Sequence, residues 1–148
     1  MNLEDSMDRF WYELTVNQLR GRQDKCMKDI SCNTSMYLDL IKFRDNATVS
    51  SIADDLNISK AAVTMKVNEL VKQGLVRKMQ NEEDKRINYL EVTETMSEDY
   101  EIYFRPLRYA IEMIEKKYSQ EKIDVFCEVL ETFSDCFQSC NNAHKEEL

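Results

Sequence analysis

Glycine occurs twice and proline once in 148 residues. A β-rich fold needs turn residues at regular spacing, so this scarcity excludes a sandwich or barrel and points to long helices. Histidine occurs once, in the C-terminal tail, and neither a Gly-rich phosphate loop nor a nucleophile-plus-base pattern is present, so the chain does not read as an enzyme. No apolar run approaches the roughly 20 residues that a bilayer span requires. The stretch "MNLEDSMDRF" has acids where a secretory leader has basic residues followed by an apolar run. Together these features predict a cytoplasmic protein without a membrane partner. The cysteines, at 26, 32, 127, 136 and 140, are odd in number and form no C-x-x-C pair, so free thiols are expected.

What is present is a chain of single-domain length, 43% hydrophobic, able to bury a core. Its net charge of −8 is unevenly spread. Between Ser59 and Arg86, seven basic residues (Lys60, Lys66, Lys72, Arg77, Lys78, Lys85, Arg86) outnumber four acids (Glu69, Glu82, Glu83, Asp84). An acidic body with one basic segment can steer a polyanion onto that segment. Local excesses of this size also arise by chance, so charge alone leaves nucleic-acid binding open.

Periodicity predicts a helix from about Leu3 to Arg20, with Leu3, Met7, Phe10 and Leu14 on one stripe. A second helix is capped by Asn33, Thr34 or Ser35 and turns Met36, Leu40 and Phe43, with Tyr37 and Ile41, inward. Asn46 suits a turn, and 47–49 a short strand. Thr48 or Ser50 caps "SIADDL", "NIS" turns, and Ser59 caps a helix that Gly74 ends. "LVRKMQ" and "INYLEV" read as strands joined by the polar loop "NEEDKR". Thr93 or Thr95 opens a long helix to about Tyr118, bent at Pro106. In the last helix Ile123, Phe126, Leu130, Phe133, Phe137 and Cys140 form a heptad-like series, and the tail "NNAHKEEL" is expected to fray.

On a helical wheel of about 100° per residue, Val63, Val67 and Leu70 form one stripe, expected to pack on Ile52, Leu56 and Ile58. Ala61, Thr64, Met65 and Asn68 lie about 100 to 200° away. That second face is too polar for a core and too bare of charge for ordinary solvation. Small residues let a backbone approach a DNA major groove, Thr and Asn bond base edges, and methyl groups touch thymine. Lys60 and the helix start are placed for phosphates, and an arginine at the strand loop suits a minor groove. A helix-turn-helix used only for packing or for a protein partner fits the same pattern.

The stretch from 48 to 93 resembles the winged helix-turn-helix of the MarR family of multiple antibiotic resistance regulators. "IADDLNISKAAVTMKVNELVKQGLV" looks like the family's two helices. "DKRINYLEVT" is similar to its wing signature, with Asp84, Arg86, Val92 and Thr93 in the matching positions. The resemblance implies a mainly α fold with a small β wing. In that plan the winged helix-turn-helix, 33–93, is flanked by dimerisation helices in 1–32 and 94–148. It implies a homodimer of interlocked terminal helices, usually a repressor, whose recognition helices read the halves of a palindromic operator in double-stranded DNA. A small-molecule effector, a metal or an oxidant changes the spacing of the two heads. Carried over by position, Ser59, Lys60, Ala61, Ala62, Thr64, Met65, Lys66 and Asn68 give the groove contacts. Lys85 and Arg86 give the wing contacts, and Asp84 holds the wing's shape. Glu82 and Glu83 depart from the more positive wings usual in the family. The rival reading is a winged-helix protein-interaction module without direct DNA binding.

Leu3, Met7, Phe10 and Leu14, with Phe126, Leu130, Phe133 and Phe137, then become the expected dimer interface; an intrachain core is the alternative. Cys26 and Cys32 lie where some family members sense oxidants. Cys136, Cys140 and His144 recur at i, i+4, i+8, but helical cysteines are often plain packing, so no metal is assigned, and no cofactor. Trp11, Tyr12 and Tyr37 are candidate walls for an organic ligand.

Overall fold

The computed structural model describes residues 2–21 and 30–146, with side chains through 141. The expected sensor residue Cys26 lies outside the described residues. Seven helices and one hairpin are described, in the order α1 (Leu3–Gly21), α2 (Cys32–Phe43), α3 (Val49–Leu56), α4 (Lys60–Lys72), β1 (Val76–Gln80), β2 (Asn88–Val92), α5 (Glu94–Tyr103), α6 (Arg105–Lys117) and α7 (Gln120–Glu146). The chain divides into two compact units, 1–103 and 104–148.

In the first unit, local chemistry sets the helix ends. Thr48 and Ser51 form a reciprocal capping box at the start of α3, each satisfying the other's backbone N–H. Asn57, in the left-handed region at φ 52°, closes α3. Ser59 Oγ accepts from the Ala62 N–H at 3.2 Å and starts α4. Gly74, at φ 72°, turns the chain out of α4 into β1. A Cβ built on Gly74 meets nothing within 4 Å, so the constraint there is conformational rather than steric. Gly74→Ala is therefore expected to lower stability by about 1 kcal/mol through backbone strain, measured by urea denaturation.

β1 and β2 pair antiparallel, Val76 opposite Val92 and Lys78 opposite Leu90. Thr93 ties the base of this hairpin to the end of α4: its N–H donates to the Leu75 carbonyl and its hydroxyl to the Gly74 carbonyl, at 3.0 and 2.9 Å. The core of the unit gathers Leu38 and Ile41 of α2, Ile52 and Ala53 of α3, and Val63, Val67 and Leu70 of α4. Val76, Leu90, Met96 and Tyr100 complete it, all buried. Tyr100 donates its hydroxyl to Asp39 at 2.8 Å, joining α5 to α2. Burial first, and the Asp39 charge second, raise the tyrosine far above its ordinary pKa, so it stays a neutral donor.

Several expectations are corrected here. Ser31, rather than Asn33, Thr34 or Ser35, caps α2, accepting from the Thr34 N–H at 3.1 Å. The inward face of α2 is Thr34, Ser35, Leu38 and Ile41, while Met36 and Phe43 are exposed. The two stripes sit side by side on the wheel, and β2 packs on the Leu38–Ile41 side. Leu56 and Ile58 are 38% and 41% exposed. They line a groove of about 740 Å³ with Met36, Tyr37, Leu40 and Phe43 instead of joining the core. No strand forms at 47–49: Val49 opens α3, and only the Ala47 carbonyl joins the hairpin, accepting from the Leu90 N–H at 2.8 Å. The long helix expected over 94–118 is broken rather than bent. Phe104, at φ −89° and ψ 1°, separates α5 from α6, and Pro106 falls in the first turn of α6, where its missing N–H is not needed.

In the second unit α6 packs on α7. α6 buries no residue, and every described side chain of α7 is exposed or half-buried. α7 runs to Glu146, through most of the tail expected to fray. Among the described residues, no helix is long and apolar enough to cross a membrane.

Candidate nucleic-acid interface

α4 presents two faces of opposite character. Val63, Val67 and Leu70 are fully buried. Ala61, Thr64, Met65 and Asn68 are exposed on the other side, Met65 at 74%. A methionine held out in water at the middle of a capped helix has no packing role in the free chain.

The polar groups on this face already have set directions. The Thr64 hydroxyl donates to the Lys60 carbonyl at 2.7 Å, which leaves its lone pairs and methyl free to meet another molecule. Asn68 Oδ1 accepts from Lys78 Nζ at 2.8 Å. Lys60 stands exposed in the first turn, beside the Ser59 cap.

Two residues expected on this face turn elsewhere. The Lys66 side chain is only 14% exposed. Its ammonium donates to the buried Thr34 hydroxyl at 3.0 Å and to Glu69 at 2.9 Å, strapping α4 to the start of α2. Ala62 lines a shallow cavity with Lys66, Glu69, Asn33 and Tyr37, on the flank towards α2. Both lie on the opposite side of the Val63 stripe from Thr64, which the wheel implies once α2 is placed there.

The wing is a tight loop built on side chains. Asn81 Oδ1 accepts from the Glu83 and Asp84 N–H groups at 2.7 and 3.1 Å, and Asn81 Nδ2 donates to the Tyr89 hydroxyl at 2.8 Å. Gln80 Nε2 donates to the Lys85 carbonyl at 2.7 Å. Asp84 Oδ1 accepts from the Arg86 backbone N–H at 3.0 Å and from Arg86 Nε at 3.2 Å. The Arg86 backbone N–H, then its guanidinium, lower the Asp84 pKa from its ordinary 3.8. This contact is thus intact at neutral pH and is lost only in acid, as pH falls through the lowered value. The Arg86 side chain is 91% exposed, so the loop fixes its base while its head stays in solvent. Arg86 and Lys78 share a cavity of about 430 Å³ with Thr48, Val49 and Ser50 at the start of α3 and with Asn88 of β2.

Gln80, Asn81 and Tyr89 have no role in the sequence reading, and Lys78 enters it only as charge. The signal for Lys78 was strand alternation: Val76 and Lys78 share a strand face, and with Val76 buried that face turns towards α4. The Asn81 network has no comparable signal, because it depends on the loop's closed shape.

The remaining candidates lie outside this face of α4 and the wing. Leu3, Phe10, Phe126, Leu130 and Phe137 are exposed, while Met7, Leu14 and Phe133 are half-buried. Tyr37 lines the groove described above, whereas Trp11 and Tyr12 stand exposed on α1. Cys32 is exposed at the first residue of α2, and Cys136 and Cys140 are exposed on α7. The side chain of His144 is outside those described; among the described residues no three His, Cys, Asp or Glu groups gather as a metal site would require.

Residues 31–87 match the model of the MarR family. Over 70 residues the chain is 34% identical to the transcriptional regulator AdcR of Streptococcus pyogenes serotype M6, covering 47% of this chain and 48% of AdcR. The chain thus spans about half the length of that relative. Among solved structures, Streptococcus pneumoniae FabT in complex with DNA has a TM-score of 0.64 at 23% identity, covering 92% of this chain and 94% of FabT. A mutant of MepR from a multidrug-resistant S. aureus clinical isolate has a TM-score of 0.68 at 14% identity, covering 93% and 98%. At such identities these two structures speak to the fold alone: mainly helical, with a two-stranded wing. The family match lies over the helix-turn-helix and wing loop, so residues 31–87 of this chain carry the winged-helix pattern of the MarR family.

Proposed function

We propose that the protein is a sequence-specific DNA-binding transcriptional regulator, a homodimeric repressor of a palindromic operator. The observation that carries the reading is the exposed Ala61–Thr64–Met65–Asn68 face, on a helix whose opposite side is fully buried. In this reading α4 lies in the major groove. Ser59, Lys60, Ala61, Thr64, Met65 and Asn68 supply its contacts. Lys85 and Arg86 of the wing approach the neighbouring backbone or minor groove. Lys66 acts indirectly, holding α4 against α2. The relative AdcR is a transcriptional regulator, which favours this reading over a winged helix that serves only a protein partner.

Dimerisation uses the uncovered apolar faces of α1, α6 and α7 against a second copy. Exposed residues of the size of Phe10, Phe126, Leu130 and Phe137 on amphipathic helices mark an interaction surface. A small-molecule effector has room in the groove between α2 and α3, and its arrival would release the operator by moving the two heads.

The test is selection from a random duplex library, followed by titration at two salt concentrations. An enriched palindrome is expected. Arg86→Ala is expected to weaken binding about tenfold and to reduce the salt slope by about one. Thr64→Ala is expected to cost about 1 to 3 kcal/mol of discrimination at one base pair. No enrichment, with equal weak binding by all three proteins, would refute the proposal.

A further inference from the structure

We infer that Lys78 decides which base edge Asn68 can read. The inference rests on the DNA-binding role proposed above. An ammonium group only donates, so the atom it holds at 2.8 Å is the amide oxygen of Asn68. The two N–H donors of the amide therefore point away from Lys78. The lysine is itself anchored: β1 pairs in register with β2, Lys78 opposite the buried Leu90. Asn68 is exposed on the face that also carries Thr64.

An unrestrained asparagine reads adenine with both ends of its amide, donating to N7 and accepting from the N6 amino group. Here Lys78 takes one of the oxygen's two lone pairs and turns the oxygen towards β1, so the donors are what the groove meets. The matching edges carry acceptors: N7 and O6 of guanine, or O4 of thymine. Thr64, one turn earlier, has the opposite polarity. Its hydroxyl proton is spent on the Lys60 carbonyl, so it offers an acceptor and a methyl group. α4 thus arrives at the groove with an acceptor at Thr64 and donors at Asn68, both set before DNA binds. Lys78 is a positioning residue: it acts on the base through Asn68 and needs no base contact of its own.

The experiment repeats the duplex selection with the full chain as wild type, Lys78→Met, Lys78→Arg, Asn68→Ala, and the Asn68→Ala/Lys78→Met double variant. Guanine or thymine is expected at the position whose preference disappears in Asn68→Ala. Lys78→Met is expected to raise adenine at that position about tenfold relative to wild type, since the amide can then turn and pair with both ends. Lys78→Arg, which still donates, keeps the wild-type preference. In the Asn68→Ala background, Lys78→Met alters affinity but not base preference. Three results overturn the inference while leaving the DNA-binding role intact: adenine in the wild-type site, no position that depends on Asn68, or a Lys78→Met loss equal for all sequences. The last would make Lys78 a phosphate contact alone. If wild type enriches no sequence, the DNA-binding role fails, and this inference with it.

Discussion

Phe126→Glu combined with Leu130→Glu is expected to produce a monomer in sedimentation at concentrations where wild type is expected to dimerise. Its affinity for the selected operator is expected to fall at least about 100-fold, because a palindrome is bound tightly only when both halves are engaged at once. The physical basis is what the second unit lacks. α6 buries no residue, and α7 leaves Val125, Phe126, Leu130 and Phe137 in water, so this helical pair does not cover its own apolar surface. Each residue of that kind contributes about 1.5 to 3 kcal/mol when buried, and two glutamates at the centre would add two desolvated charges. The first unit has its own core in residues 2–103, so circular dichroism should still report a folded winged helix in the monomer. A variant that stays dimeric would move the interface elsewhere. A monomer that binds the operator as tightly as wild type would remove the link between dimerisation and recognition.

What was legible in the sequence is what local chemistry decides. Ser59 as a cap and Gly74 as a left-handed terminus need only the backbone and one side chain, and both stand where the sequence put them. The hairpin strands followed from β-branched and aromatic residues on either side of a polar loop. The opposed faces of α4 followed from helical period. Errors began where two elements had to choose a common side. On α2 the Met36–Leu40–Phe43 stripe is the more hydrophobic, yet the core lies on Thr34, Ser35, Leu38 and Ile41. The two buried hydroxyl residues are tolerable there because each is hydrogen-bonded, Thr34 to Lys66 and Ser35 to the Cys32 carbonyl. Lys66 shows the same limit. Its position in α4 implies a groove contact, but its partner is 32 residues away in sequence and visible only once α2 and α4 are packed. Pro106 lies in the first turn of α6, and a proline there starts a helix instead of bending one. Lys78 reads only as charge in the sequence, since its contact with Asn68 joins a strand to a helix.

Leu70→Ala and Met65→Ala, five residues apart on one helix, should separate folding from recognition. Leu70 is completely buried between α4 and the rest of the first unit. Its truncation removes three carbons from a packed core and leaves a cavity, at a cost of about 3 kcal/mol. The melting temperature should fall by roughly 6 to 12 °C. Met65 is 74% exposed, and its truncation leaves no cavity. Its stability should change by less than about 0.5 kcal/mol. Operator binding should respond in the opposite order once measured well below either melting point. Leu70→Ala should bind nearly as wild type wherever it remains folded, because the groove-facing atoms of α4 are untouched. Met65→Ala should lose about three- to tenfold in affinity, chiefly on duplexes with thymine at its contact, since what it removes is an apolar contact with a methyl group. Equal binding by Met65→Ala and wild type on every sequence would mean that the exposed face serves some other partner. A Met65→Ala melting temperature that falls with that of Leu70→Ala would mean that the methionine packs in solution, and the two-faced description of α4 would have to be given up.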